Sequence, residues 1–156
     1  MSDHEIITLT LTQESDYVFR IAFDDSAIPE LTTDESPPLG HGAGPDPTRL
    51  LAAAVGNCLS SSILFALRKF KNKPGTIVTR VRAYPARNEQ GRLRISHIAV
   101  EIQLPENAGD YAQIERILAQ FEDFCVVTQS VRAGVPVEVT VLDGEGAVLH
   151  GDIPSA

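Results

Sequence analysis

Two cysteines are the residues of this chain whose chemistry is most informative. Cys58 lies in a long uncharged segment, and Cys125 follows a short segment of acidic and aromatic residues. A thiolate is a nucleophile and is oxidised reversibly, so two thiols can perform redox chemistry if the fold brings them together. The two positions are 67 residues apart, and spacing alone does not show whether they pair.

The segment around Cys58 predicts a long helix. Asp46 followed by Pro47 has the arrangement of an N-cap and a first helical residue, and the basic residues near position 70 suit a helix C-terminus. We predict a helix from Pro47 to about Phe70. The run Leu50 to Leu67 contains no charged residue, so this helix is expected to be buried at the centre of the fold.

Cys58 has two interpretations on this helix. A cysteine on such an apolar helix is commonly a small core residue. The polar neighbours Asn57, Ser61 and Ser62 instead favour a functional thiol, because a sealed core prefers methyl groups. A thiol in mid-helix gains nothing from the helix N-terminus, so its ionisation would need a nearby cation.

Cys125 is predicted to lie in the first turn of a short helix that ends before Gly134. The partial positive charge of a helix N-terminus stabilises a thiolate, so a cysteine at this position is suited to act as a nucleophile or as a resolving thiol. It could equally be a small residue that fills the start of the helix. Sequence leaves both alternatives open.

The remaining pattern predicts an α+β protein, because a hairpin, a long helix, a second hairpin, two helices and a final strand follow one another. We expect antiparallel sheets packed around the long helix, in one domain covering residues 1–156, with 144–156 as a loosely ordered tail. The Gly/Pro-rich loop at 36–47 is expected to be a flexible lid or turn. The strands and the second helix are predicted at Ile6–Thr12, Tyr17–Phe23, 76–88, 92–104, Asp110–Phe121 and Val135–Leu142.

Composition argues against several classes of function. The 13 basic and 21 acidic residues give a net charge of −8, which would repel a nucleic-acid backbone. The uncharged run is long enough to span a membrane, but its central polar residues argue for a soluble protein. The N-terminus does not resemble a signal peptide, so we expect a cytoplasmic location. The four histidines show no metal-ligand spacing, and no motif indicates a serine hydrolase.

Two motifs resemble those of the OsmC/Ohr family, the osmotically inducible and organic hydroperoxide resistance proteins. The segment from Gly44 to Ala54 that leads to Cys58 resembles the family signature G-x-N/S-P-x-x-L-L-A-A-x-x-x-x-C. The segment beginning at Cys125 resembles the second cysteine motif, C-P-V-S. The order of predicted elements agrees with the family along nearly the whole chain.

The resemblance implies an intertwined α+β homodimer with two active sites at its interface. It also implies a peroxidase, in which Cys58 attacks an organic hydroperoxide to give a sulfenic acid and Cys125 resolves it as a disulfide. An external dithiol reductant protein, of lipoyl type in related proteins, would restore both thiols. No metal or organic cofactor is implied.

Three positions bear on the activity that the resemblance implies. Peroxidase members place an arginine of the N-terminal sheet against the first cysteine, and Arg20 is the candidate here. The acidic residue that orients this arginine, ten positions before the first cysteine, is Thr48 in this chain. The proline after the second cysteine is Val126. The alternative function is a non-enzymatic module that binds a small hydrophobic ligand at the dimer interface.

Overall fold

The computed structural model describes residues 5–24, 26–134 and 137–151. The chain forms two compact units, one ending at Leu50 and the other beginning at Leu51. Each unit is described by itself below. The observed elements are α+β, as the sequence predicts.

The first unit contains a three-stranded antiparallel sheet. Its strands are β1 (Leu9–Ser15), β2 (Val18–Phe23) and β3 (Leu31–Thr33), in the order β1-β2-β3. The predicted first hairpin is therefore confirmed, although β1 begins later than the alternation of residues indicates. The strand β3 was missed, because three residues next to a Gly/Pro-rich segment give too short a pattern to recognise.

An ordered loop joins β3 to the long helix, although the sequence predicts a flexible one. The buried carboxylate of Asp34 accepts hydrogen bonds from the backbone N–H groups of Glu35, His41 and Ala43, at 2.8, 3.0 and 3.0 Å. Gly40 is required here, because a Cβ at this position would lie 2.4 Å from an Asp34 carboxylate oxygen. One carboxylate thus organises most of the loop.

The long helix α1 (Pro47–Lys69) matches the prediction closely. Asp46 caps it, because its carboxylate accepts a hydrogen bond from the Arg49 N–H at 2.8 Å. By length and apolar composition α1 could cross a membrane, but the core helix of a soluble protein has the same properties. The sequence predicts that α1 is buried at the centre of the fold, but only one stripe of its surface is fully buried in this chain. This stripe comprises Val55, Gly56, Leu59, Ile63 and Leu67.

The second unit contains a four-stranded sheet in the order β4-β5-β6-β7. Its strands are β4 (Val78–Arg87), β5 (Leu93–Gln103), β6 (Val137–Leu142) and β7 (Val148–His150). The sheet is mixed rather than wholly antiparallel, because β5 and β6 run parallel. A parallel pair needs a crossover connection, and the helices between these two strands provide it.

That crossover holds the second cysteine. It consists of a 3₁₀ turn at Ala108–Asp110, helix α2 (Ile114–Gln120), a 3₁₀ turn at Phe121–Phe124 and helix α3 (Val126–Arg132). The predicted second helix is thus shorter than expected, since its first residues form the separate 3₁₀ turn.

The C-terminal segment corrects another prediction. Residues 144–156 were expected to be a loose tail, but β7 pairs antiparallel with β6 after a turn held by the buried Asp143 carboxylate. This carboxylate accepts hydrogen bonds from the Glu145 and Ala147 N–H groups, each at 2.9 Å. The predicted final strand begins at Val137, and residues 135, 136 and 152–156 lie outside the described part of the chain.

The core of the second unit lies between the buried stripe of α1 and the inner face of the sheet. Ile98, Val100 and Ile102 of β5 are almost fully buried there. The helix approaches the sheet closely at Gly56, where a Cβ would lie 2.5 Å from a Val81 methyl carbon. A glycine at this helical position, two residues before Cys58, therefore lets α1 pack closely against β4.

Candidate active site

Cys58 lies midway along α1, at the edge of the stripe that packs on the core. Its thiol is free and partly exposed, and its side chain contacts the buried cluster. Asn57 and Ser61 beside it are exposed, and their side chains form a hydrogen bond of 3.4 Å. Cys58 is therefore neither sealed in the core nor free on the surface.

Cys125 is the N-cap residue of α3, one position before the first turn in which the sequence analysis places it. Its side chain is 1% exposed, and its sulfur lies 2.9 Å from the Thr128 hydroxyl, which is also buried. Its backbone N–H donates to the Glu122 carbonyl at 3.0 Å. The short turn before α3 thus delivers this thiol into the core rather than to solvent.

The fold brings the two thiols into contact. Burial raises the pKa of the Cys125 thiol, and a hydrogen bond to the Cys58 side chain raises it further. Contacts with Thr128 act in the opposite direction but do not reverse the shift. A raised pKa means that Cys125 keeps its proton, and its S–H group donates to the Thr128 hydroxyl. The spacing of the two cysteines in sequence could not show this contact.

An open cavity of about 660 Å³ lies beside Cys58. Its wall is mostly apolar, and three of its side chains are strongly exposed: Phe65 (70%), Phe124 (73%) and Val126 (77%). Among the described residues that line it, none is charged; they are Ala54, Asn57, Cys58, Ser61, Ser62, Phe65, Phe124, Val126 and Val127. The cavity suits an apolar molecule that presents a reactive group to the thiol.

Two sets of contacts hold the turn that carries Cys125. The Ser62 hydroxyl of α1 donates to the Phe121 carbonyl. The Glu122 carboxylate contacts Arg132 of α3 at 2.7 Å and also the His150 ring of β7. Although burial opposes ionisation, these hydrogen bonds hold the pKa of Glu122 below its usual value.

These supporting residues were missed in the sequence. Glu122, Arg132 and His150 are separated by 10 or more positions, and no spacing motif links them. The only local signal was an acidic residue three positions before Cys125. The contact with His150 depends on β7, a strand that was not predicted.

Arg20, the candidate activating arginine, lies in β2 of the first unit. It is on the polar face of that sheet and forms ion pairs with Glu14 at 3.8 Å and Glu30 at 3.3 Å. Its side chain is 44% exposed. Its role at the thiols remains a prediction.

The described part of the chain holds no group of three or more His, Cys, Asp or Glu residues arranged to bind a metal ion. His41 lies in the loop held by Asp34, and His97 stacks on Tyr84 of the neighbouring strand with ring centroids 4.1 Å apart. These two histidines therefore lie in separate parts of the structure.

Comparison with known proteins identifies the family. The family model for OsmC-like proteins matches residues 40–140, which include both cysteines and the whole of α1. This chain belongs to the OsmC-like family. No protein with a curated description is significantly similar to it in sequence.

Solved structures show that the OsmC-like fold extends beyond the matched segment. A putative osmotic stress induced and detoxification response protein of Psychrobacter arcticus superposes with a TM-score of 0.72 at 19% identity, covering 90% of this chain and 99% of that one. An organic hydroperoxide resistance protein OsmC of Legionella pneumophila gives 0.67 at 16% identity, covering 88% and 98%. The organic hydroperoxide resistance protein OhrB of Bacillus subtilis gives 0.63 at 17%, covering 86% and 97%.

Two departures from the family motifs can be located in this OsmC-like protein. Thr48 is exposed in the first turn of α1, where the peroxidase pattern has an acidic residue. Val126 follows Cys125 and lines the cavity, where the pattern has a proline. The second change leaves α3 intact, since a first helical residue tolerates either side chain.

Proposed function

We propose that this OsmC-like protein is a thiol peroxidase that reduces organic hydroperoxides to alcohols. The observation that supports it most directly is the contact between two free thiols at the edge of an open apolar cavity. A pair of buried structural cysteines would need no such opening. The names of the structurally similar organic hydroperoxide resistance proteins favour the same activity.

In the first step the Cys58 thiolate attacks the terminal oxygen of the hydroperoxide. An S–O bond forms as the O–O bond breaks, and the departing alkoxide takes up a proton to leave as the alcohol. Cys58 becomes a sulfenic acid. It is assigned this role because its thiol is partly exposed at the cavity, where a substrate can reach it.

In the second step Cys125 attacks the sulfenic sulfur. A disulfide forms, the sulfenic hydroxyl leaves, and the proton of the Cys125 thiol completes a molecule of water. The buried Cys125 suits this role, because it is protected from external peroxide and already contacts Cys58. An external dithiol of lipoyl type then reduces the disulfide. No metal or organic cofactor takes part in this proposal.

The proposal also includes a homodimer. In the first unit, Leu9 and Leu11 of β1 are 45% and 55% exposed, although they lie on the apolar face of the sheet. This face is uncovered only at β1, because Ile21 of β2, which pairs with Leu11, is buried. An exposed apolar edge of a small sheet favours association. A second copy would cover it.

We further propose a cytoplasmic protein with no nucleic-acid or membrane partner, as its acidic balance and soluble fold favour.

Steady-state turnover tests the activity. We expect cumene hydroperoxide to be reduced faster with dihydrolipoamide than with an equal concentration of glutathione, and Cys58→Ser to be inactive. Cys125→Ser should complete one turnover and trap a sulfenic acid on Cys58, detected by mass spectrometry after dimedone labelling. Loss of this first turnover would mean that the two roles are reversed.

The second candidate function is a non-enzymatic module that binds an apolar ligand. It is favoured because none of the described residues that line the cavity is charged. A thiolate needs a neighbouring cation, whereas an apolar ligand does not. In that case an apolar fluorescent probe would bind equally well to the wild type and to Cys58→Ser, and neither protein would consume peroxide.

A further inference from the structure

The backbone of Cys125 is extended, although the residue that follows does not require this conformation. Its φ and ψ angles are −83° and 97°, and α3 begins at the next residue, Val126. A proline at that position would restrict Cys125 to extended geometry and would suit the start of a helix, whereas valine imposes no such restriction. Other contacts therefore keep the Cys125 thiol directed towards Cys58.

Glu122 provides such contacts through both its backbone and its side chain. Its carbonyl accepts hydrogen bonds from the Cys125 N–H and from the Gln129 side chain, each at 3.0 Å. Its carboxylate accepts a hydrogen bond from the Arg132 guanidinium at 2.7 Å and contacts the His150 ring. Glu122 thus ties the turn that precedes Cys125 to α3 and to β7.

The side chains of Glu122, Arg132 and His150 form a partly buried cluster. They are 18%, 31% and 26% exposed, respectively. The His150 ring also packs edge-on against the buried Phe121, with ring centroids 5.1 Å apart. Hydrogen bonds to a charged group are stronger than those between neutral groups, and partial burial limits their screening by salt. The cluster can therefore hold the short turn in one position.

We propose that Glu122 is a positioning residue for the resolving step, because it holds Cys125 where its thiol meets Cys58. This inference rests on the proposed peroxidase activity and adds a residue that makes its second step fast. A thiol held beside its target reacts far faster than the same thiol free in solution. Glu122 acts through the turn that carries Cys125, so the first step, at Cys58, should not depend on it.

Competition with an added thiol measures how well Cys125 is positioned. The sulfenic acid on Cys58 reacts either with Cys125, giving the internal disulfide and water, or with glutathione, giving a mixed disulfide and water. Reduced protein is mixed with one equivalent of cumene hydroperoxide in the presence of glutathione, and acid stops the reaction within the first turnover. Mass spectrometry of the intact chain then gives the ratio of internal to mixed disulfide.

Glu122→Gln should lower this ratio about tenfold, because it removes the charge that Arg132 and His150 contact. The rate of Cys58 oxidation by cumene hydroperoxide should stay unchanged. A general loss of stability would affect both steps, so this difference between the steps is specific to positioning. Asp123→Asn is the matched control, since it removes the same charge from the next residue, which is exposed. It should keep the wild-type ratio.

Rescue variants separate positioning from a damaged fold. Arg132→Gln should also lower the ratio, whereas Arg132→Lys retains the cation and should restore most of it. Val126→Pro should restore the ratio in Glu122→Gln, because proline would enforce the extended backbone of Cys125 that Glu122 otherwise holds. If Glu122→Gln does not fold, the comparison of Arg132→Gln with Arg132→Lys decides.

An unchanged ratio in the folded Glu122→Gln protein, or an equal fall in Asp123→Asn, would overturn the proposal. If cumene hydroperoxide oxidises neither thiol of the wild type, the peroxidase activity itself is wrong. Oxidised glutathione then tests positioning alone: Cys58 attacks it and releases one glutathione, and Cys125 displaces the second from the mixed disulfide. Glu122→Gln should slow this displacement about tenfold, and an equal rate would overturn the positioning role.

Discussion

At the scale of single residues, the two cysteines have different environments although they touch. Cys58 borders an open cavity, and Cys125 is 1% exposed next to the buried Thr128. The sequence predicted the helical position of each thiol, because capping residues and apolar runs are local signals. It could not predict their contact, since this depends on how the turn at Phe121–Phe124 folds back on α1.

The raised pKa of Cys125 predicts a pH dependence of stability. A group whose pKa is higher in the folded state stabilises the fold below its unfolded value, here about 9.0, and loses that contribution as the pH rises through the raised value. The free energy of unfolding of the reduced protein should therefore fall above pH 9. Urea unfolding at pH 8 and pH 10 measures it.

Cys125→Ala is the control for this prediction and should show a smaller fall over the same range. Tyr111 also has a raised pKa, through burial and its hydrogen bond to Glu106, but it is present in both proteins and cancels in the comparison. An equal fall in both proteins would rule out a contribution from Cys125.

Arg20→Ala tests the candidate activating cation. If Arg20 activates Cys58, the rate of Cys58 oxidation by cumene hydroperoxide should fall by about 10²–10³, the usual effect of removing one group that stabilises charge at the reacting atoms. Stability should change by less than about 1 kcal/mol, because both ion pairs of Arg20 are half-exposed. An unchanged rate would remove Arg20 from the site.

At the scale of elements, local capping signals were the most reliable. The Asp46-Pro47 start of α1 and the start of α3 at Cys125 were both predicted, because each depends on neighbouring residues. The strands β3 and β7 were missed, since three residues carry too little pattern. The parallel pairing of β5 with β6 could not be predicted, because it depends on contacts distant in sequence.

The loop before α1 gives a prediction at this scale. Asp34→Asn removes the charge on which three backbone N–H groups converge, so the loop should loosen. Limited proteolysis should then cut faster within 35–46, and the melting temperature should fall. Asp24→Asn is the matched control, because its carboxylate accepts hydrogen bonds from a single exposed side chain, Thr10. Equal cleavage of Asp34→Asn and the wild type would show that Asp34 does not hold the loop.

At the scale of the whole molecule, charge is unevenly distributed along the chain. Residues 1–50 contain ten acidic and two basic side chains, which accounts for the whole net charge of −8, whereas residues 51–156 contain eleven of each. The net charge of the whole chain predicted no nucleic-acid partner, but a single total does not show how the charges are divided between the two parts of the chain. The basic residues are therefore concentrated in the unit that carries both thiols and the cavity beside Cys58.

The proposed homodimer is tested by mass in solution. Light scattering should give twice the 16.9 kDa mass of the chain, because in the proposed dimer a second copy would cover the exposed leucines of β1. Leu11→Lys places a charge on that face and should promote dissociation. Thr10→Lys, on the opposite face of the same strand, should not. A monomeric wild type at micromolar concentration would contradict the dimer.

The central claim is that Cys58 and Cys125 form a peroxide-reducing pair, and thiol counting tests it most directly. Fully reduced protein is mixed with one equivalent of cumene hydroperoxide, and free thiols are counted over time, with Cys58→Ser as the control. The account predicts rapid loss of two thiols per chain in the wild type and no rapid loss in Cys58→Ser. Loss no faster than that of an unstructured thiol would contradict the peroxidase and favour the binding module.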